Sequence, residues 1–346
     1  MTTDVPQRLN ALDLVSVREH HFRRLVALFE GAVPDPVFVL CGIVRHTSEV
    51  LANWEQWLDE SLEWLAGQVD AATDREVFRP LAVNHDPDGV HFVDHLFGAD
   101  VSQMEDRSWQ VRLLETPVGQ LDRPDFAVNA TWRRTQAFAR AFVERGGRGV
   151  ILGTPTLSSA LNVAVNLYGQ RIFEALLLEP EAAKHDLRVI NEVICDLHRW
   201  YLDAVPAEQL QCIVPGGRRQ PPGCGQLCGC ACQVLSAEQY REFVAPLDEE
   251  LLSLYPNGGM IHLCGVHTQH VPVWREMSAL RAVQVNDRAA EELALYFGGL
   301  RENQLVYVDP CAEMPVEHAL EIAGGRRLVL AADLKEAPRF PPAALE

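Results

Sequence analysis

GGMIHLCGVHTQHVPVWREMSALRAVQVN, residues 258–286, decides how the rest of the chain is read. A short apolar run, GMIHLCG, ends in a polar cluster. A helix is predicted over about 268–277, and a second apolar run, RAVQVN, follows it. Apolar runs of this length bounded by glycine are strand-like, and a helix between two of them lets both strands lie parallel in one sheet. The same alternation extends outward. Upstream lie a helix to Arg145, the run GVILG (149–153), helices through Ala204, CIVPGG with its Gly/Pro loop, and a helix over 236–255. Downstream lie a helix over 289–297, QLVYVDP, a helix over 314–323 and RRLVLAAD. About five strand-helix units follow residue 148. The earlier region, with a helix over about 8–31, an amphipathic helix from Ser48 (Leu51, Trp54, Leu58, Leu62, Leu65, Val69) and β-prone pieces between about 77 and 115, supplies the remainder. The expectation is a single α/β domain, a (β/α)8 TIM barrel, with residues 1–47 as an N-terminal helical extension and about 50–335 as the barrel and its insertions.

The chain has 346 residues, 48 % of them hydrophobic, enough for a sizeable core, and a formal charge of −18. That charge argues against nucleic acid or an anionic membrane as the main partner, since both would be repelled. No stretch approaches the run of about 18 apolar residues that a membrane span needs, and the N-terminus MTTDVPQRLN lacks the pattern of an export signal, so a cytoplasmic location is expected. Nine cysteines, several only one or three residues apart, point to thiol or metal chemistry rather than a disulfide framework.

Barrels and doubly wound sheets both place their chemistry at the C-terminal ends of strands. The polar residues directly after each apolar run are therefore the candidates: Thr154, Cys224 to Cys232, His262, Cys264, Asn286, Asp287, Asp309, Cys311 and Asp333.

The order of these segments resembles the uroporphyrinogen decarboxylase superfamily. The resemblance covers about residues 50–335 and rests on GVILGTPTLSSALNVAVNLYGQRIFEALLLEPEAA (149–183), LSAEQYREFVAPLDEELL (235–252), GGMIHLCG (258–265) and VYVDPCA (306–312). It implies a (β/α)8 barrel. Decarboxylases of that superfamily carry an RQAGRY-like arginine segment, which this chain lacks. Their tyrosine six positions after the G-x-P proline is Leu161 here, and their GHG histidine falls where this chain reads LAADLKE. The zinc-dependent methylcobamide:thiol methyltransferases of the superfamily instead carry His-x-Cys, matched here by His262 and Cys264. Alternation along a strand sends such a pair to one face. The resemblance thus implies a zinc that activates a thiol for methyl transfer, with a corrinoid on a partner protein as donor, and relatives are often dimers. The branch's third ligand is a cysteine after the last strand, and VLAADLK has none. Cys228, Cys230, Cys311 and Asp333 are the candidates for that position.

Two other readings stand beside this one: a metal-free decarboxylase or lyase acting on a small carboxylic acid or tetrapyrrole, and a non-catalytic metal- or thiol-binding protein. The loop GCGQLCGCACQ (223–233) holds Cys224, Cys228, Cys230 and Cys232, read either as substrate-facing or inert thiols or as a source of ligands for His262 and Cys264. His267 and His270 are read as surface histidines ahead of ligands. His91 and His95 are read as part of a solvated loop and helix start. Asn286, Asp287 and Asp309 are candidate catalytic residues, with helix capping as the competing role.

Overall fold

The computed structural model describes residues 4–32, 36–106, 108–211 and 220–331. Twelve strands are formed among them: β1 (Val37–Leu40), β2 (Ile43–Thr47), β3 (Leu81–His85), β4 (Val101–Gln103), β5 (Trp109–Val111), β6 (Val150–Gly153), β7 (Leu210–Gln211), β8 (Gly225–Cys228), β9 (Gly259–Cys264), β10 (Leu280–Asn286), β11 (Leu305–Val308) and β12 (Leu328–Ala331). Apart from the antiparallel hairpin β4–β5, every pairing is parallel. One sheet runs β1-β12-β11-β10-β9-β8 and a second runs β2-β3-β6-β7. Two residues, Cys41 and Gly42, separate β1 from β2. The amides of Cys41 and Ile43 bond the carbonyls of Phe78 and Pro80, at 2.8 and 2.9 Å, so the two sheets continue into each other there. Among the described residues no ladder joins β7 to β8, so the ring of strands is barrel-like and its hydrogen bonding is not closed.

Which face each side chain takes follows from the two-residue period. Ile261 and Leu263 of β9, Val283 and Val285 of β10, and Val306 and Val308 of β11 join the large outer core under the helices. Met260, Ala282, Leu305, Tyr307 and Val329 join a separate inner cluster with Phe38, Leu40, Ala82 and Ile151. That inner cluster draws on both sheets, so they curl around one interior. The helix Leu12–Glu30 contributes Phe22, Leu25, Leu28 and Phe29 to it. Apolar residues spaced three and four apart on this helix seal the N-terminal end of the ring.

Several boundaries differ from those predicted. Val37–Leu40 and Ile43–Thr47 are strands, so the ring begins inside the segment expected to be purely helical extension. The run VFVLCGIV is broken by Gly42 and lies close after a long helix, which hides it in the sequence. The helix expected over 268–277 is a short turn, Thr268–His270, leading into Val271–Trp274. The strand expected at CIVPGG lies outside the described residues. Part of the expected cysteine loop is itself a strand, β8, because Gly225–Cys228 finds a parallel partner in Gly259–His262. No helix of the described residues is long and apolar enough to cross a membrane.

A candidate cysteine-histidine metal centre

Moving toward the C-terminal ends of the strands, the inner face changes from apolar to polar. Parallel register places Cys228 beside His262, His262 beside Gln284 and Cys264 beside Asn286. One ligand atom from each of Cys228, Cys230 and His262 lies within 4.8 Å of the others. The Sγ atoms of Cys228 and Cys230 are 3.4 Å apart, and Cys264 Sγ lies 3.2 Å from His262 Nε2. The edges of a zinc tetrahedron with bonds of about 2.0–2.3 Å are about 3.3–3.8 Å, so Cys228, Cys230 and His262 are spaced as ligands of one ion could be, and Cys264 stands beside the imidazole. Cys228 and Cys230 reach the same place from different elements, the first from the end of β8 and the second from the turn Cys230–Val234.

The imidazole is held in the tautomer a metal requires. Asp309 Oδ2 only accepts, so the Gln284 amide nitrogen donates to it at 2.7 Å. That orientation turns Gln284 Oε1 toward His262 Nδ1, which therefore carries the proton and donates it. Nε2 is left with its lone pair toward the thiols. An amide and a carboxylate behind a ligating imidazole form the support that metal sites use to fix a histidine ring.

The thiols are polarised by one another. The Cys230 thiol, donating to Cys228, holds the Cys228 thiol down at about 6 against the opposing effect of burial. The same bond pushes Cys230 upward. Cys230 Sγ also accepts from the Cys264 amide at 3.2 Å, and Asn162 Nδ2 lies 3.4 Å from Cys228 Sγ. Asn162 is fixed in turn: its Oδ1 accepts from the Ala231 amide at 2.8 Å, and its own amide is capped by Ser159 Oγ at 3.3 Å. Gly265, at φ +84°, turns the chain sharply away after Cys264.

Asn286 Nδ2 lies 3.8 Å from Cys264 Sγ, too long for more than a weak contact, and its Oδ1 accepts from the Asp287 amide at 2.8 Å. Asp287 is exposed at φ +48°, and its side chain makes no capping bond, so the expected capping role is absent; a left-handed non-glycine at this position is a strained feature beside the site. Asp309 braces Gln284 rather than facing solvent as a free acid. Cys311 is not part of the cluster. After Pro310 the chain turns back, with the Cys311 amide on Met314 O, and the side chain packs at the margin of the outer core. Asp333 lies outside the described residues.

Further expectations are corrected. His267 and His270 are fully buried, because the turn after β9 folds them under the cysteine turn rather than over the surface. His91 and the segment 84–89 are buried as well. The hairpin β4–β5 covers the segment, with Trp109 against Gly89, while His91 pairs with Asp94 and His95 with Asp88, both at 2.6 Å. Composition alone does not show that a loop so rich in polar residues is roofed over.

Sequence reasoning missed Gln284, Asn162, Asn84 and Gln226. A lone amide inside each apolar strand was the available signal for Gln284, Asn84 and Gln226. Asn84 and Gln226 are buried with no hydrogen-bond partner at either amide atom among the described residues, and Asn84 lies against Gly153, where a Cβ would come within 3.0 Å of its amide carbon. Asp86, two residues beyond Asn84, is buried and accepts from the Thr156 amide and hydroxyl at 2.7 and 2.6 Å. Burial raises its carboxyl to about 7.

No family model matches the sequence, and no curated protein matches it. Among solved structures the chain is similar to a methyltransferase from Methanosarcina mazei, at 13 % identity and a TM-score of 0.59, over 94 % of this chain and 96 % of that one. At that identity the likeness is one of fold, and it extends over nearly the whole length of both chains.

Proposed function

We propose that the chain is a metal-dependent methyltransferase that activates a thiol substrate, built on an eight-stranded barrel, with three ligands drawn from Cys228, Cys230, His262 and Cys264 and the fourth position left to the substrate sulfur. The observation that carries the reading is the grouping of two thiols, Cys228 and Cys230, with one tautomerically fixed imidazole, His262, and a third thiol, Cys264, against that imidazole. The fold shared with a methyltransferase supports it. Zinc bound there would lower the pKa of a substrate thiol and hold the sulfur as a thiolate. Asp309 and Gln284 act as positioning residues that keep the His262 proton on Nδ1. Asn286 stands beside the Cys264 sulfur, and the exposed Asp287 is placed to meet a substrate entering from solvent. Asn84 and Gln226 offer buried donors and acceptors to polar groups of that substrate. The methyl donor is a corrinoid carried by a partner protein that meets the open, C-terminal end of the ring.

The test is metal analysis joined to turnover. The purified chain is expected to hold zinc and to move the methyl group of methylcobalamin to 2-mercaptoethanol, followed by NMR of the thioether. The double variant His262→Ala/Cys264→Ala is expected to lose both the ion of this site and the activity. An active protein that carries no metal overturns the proposal and favours a decarboxylase or lyase. A zinc-loaded protein without transfer to any thiol favours a non-catalytic binder.

A further inference from the structure

Behind the first cluster stands a second one. Cys232, His267 and His270 are 2 %, 0 % and 0 % exposed, and one ligand atom from each lies within 4.8 Å of the others. His267 Nε2 lies 2.8 Å from the Cys264 carbonyl, and His270 Nε2 lies 2.8 Å from the Cys232 carbonyl. A carbonyl only accepts, so both rings carry their proton on Nε2 and both leave the Nδ1 lone pair unprotonated. His267 Nδ1 faces Cys232 Sγ at 3.4 Å. His270 Nδ1 has no hydrogen-bond partner among the described residues, although the ring is completely buried. Leaving such an acceptor unsatisfied is costly. The Cys232 thiol cannot satisfy the whole set, because it has one hydrogen and the Gly229 carbonyl, 2.9 Å away, competes for it.

From these observations we propose a second metal site, separate from the one above and independent of methyl transfer, in which Cys232 Sγ, His267 Nδ1 and His270 Nδ1 hold a Zn2+ ion. Thiolate and imidazole suit a d10 cation, and histidine ligands braced through the opposite ring nitrogen by backbone carbonyls have the support that such sites use. The surroundings are closed: the Tyr240 ring lies 4.6 Å from His270 and the Trp274 ring 5.7 Å, centroid to centroid. The three side chains leave one position of a tetrahedron to a water molecule, and burial of the whole set suits an ion that holds two segments together rather than one that turns over a substrate. It would tie the turn Cys230–Val234 to the segment Thr268–His270. Those two segments carry Cys230 and follow directly from Cys264, so the ion would brace the first centre from behind.

Cobalt titration of the chelator-stripped protein under reducing conditions tests this. The wild-type chain is expected to take up two Co2+ per chain, and His262→Ala/Cys264→Ala is expected to keep one, with a thiolate-to-cobalt charge-transfer band. His270→Phe, which retains an aromatic ring of similar size against Tyr240, is expected to keep the other. Uptake by the wild-type chain of a single ion that the first-centre variant loses, a first-centre variant that binds none, or a His270→Phe variant that binds as many ions as the wild type overturns the proposal. Because the first-centre variant leaves Cys232, His267 and His270 intact, instability of His270→Phe does not decide the outcome. A second ion retained in a protein without methyl transfer activity would uphold this site while sinking the function proposed above.

Discussion

The two ends of the ring are built from the same strands and have opposite characters. Toward the N-terminal ends, Phe38, Leu40, Met260, Ala282, Leu305 and Val329 share one apolar cluster with Phe22, Leu25, Leu28 and Phe29 of the helix Leu12–Glu30. Two residues beyond Ala82, Met260, Ala282 and Tyr307, on the same faces, stand Asn84, His262, Gln284 and Asp309, which require partners. One end contributes stability through burial and the other sacrifices some of it to hold polar groups in place. Substitutions at the two ends should therefore fail in different ways.

The sharpest contrast should come from the apolar end. Leu305→Ala is expected to cost about 2–5 kcal/mol in denaturant unfolding while leaving the metal content unchanged. Metal loss accompanying that substitution would show that the two ends are not separable. At the polar end, Asp86 should make stability depend on pH. In the unfolded chain its carboxyl ionises near 3.8, whereas in the fold burial raises it to about 7, so the folded state holds an extra proton between those values. Its contribution is fully present below pH 3.8 and is lost as pH rises through 7. Asp86→Asn lacks this loss. Relative to wild type it should gain stability across that window, by as much as about 4 kcal/mol, as read from urea midpoints at several pH values; a constant difference would refute the assignment. Gln284→Ala should leave the fold intact and weaken metal binding by about 10–100-fold, because the His262 tautomer is no longer fixed. A competition titration with a chromophoric chelator measures this, and unchanged affinity would remove Gln284 and Asp309 from their positioning role. The smallest effect belongs to Asn84→Ala, which deletes an amide with no partner and should change stability by less than about 1 kcal/mol, whereas KM for a thiol substrate should rise.

The contrast between the ends also separates what the sequence discloses from what it hides. The parallel alternation from GVILG to RRLVLAAD is legible because strands buried on both faces appear as uninterrupted apolar runs. The pair His262 and Cys264 is legible because a spacing of two puts both on one face. The first strand is not, since Gly42 divides it into pieces of four and five residues, each too short to show a period. Nor is the approach of Cys228 and Cys230 to His262, which depends on β8 pairing with β9 across about 30 residues of intervening chain. His267 and His270 looked like surface residues because a three-residue offset describes equally well a helix face turned inward or outward. Burial of the loop around His91 was hidden for a related reason: its cover, Trp109, comes from a hairpin that the sequence marks only weakly.

The junction of β1 with β12 has a consequence for biosynthesis. Val37–Leu40 pairs with Leu328–Ala331, and Arg327 donates to the carbonyls of Leu28 and Phe29. At ribosomal rates of about 5–20 residues per second, the strand that emerges first waits roughly 15–60 s for the neighbour that emerges last. Throughout that interval a nascent chain presents an open β edge to its surroundings. Aggregation of a product cut short before Leu328 is the outcome expected from joining the first described strand to the last.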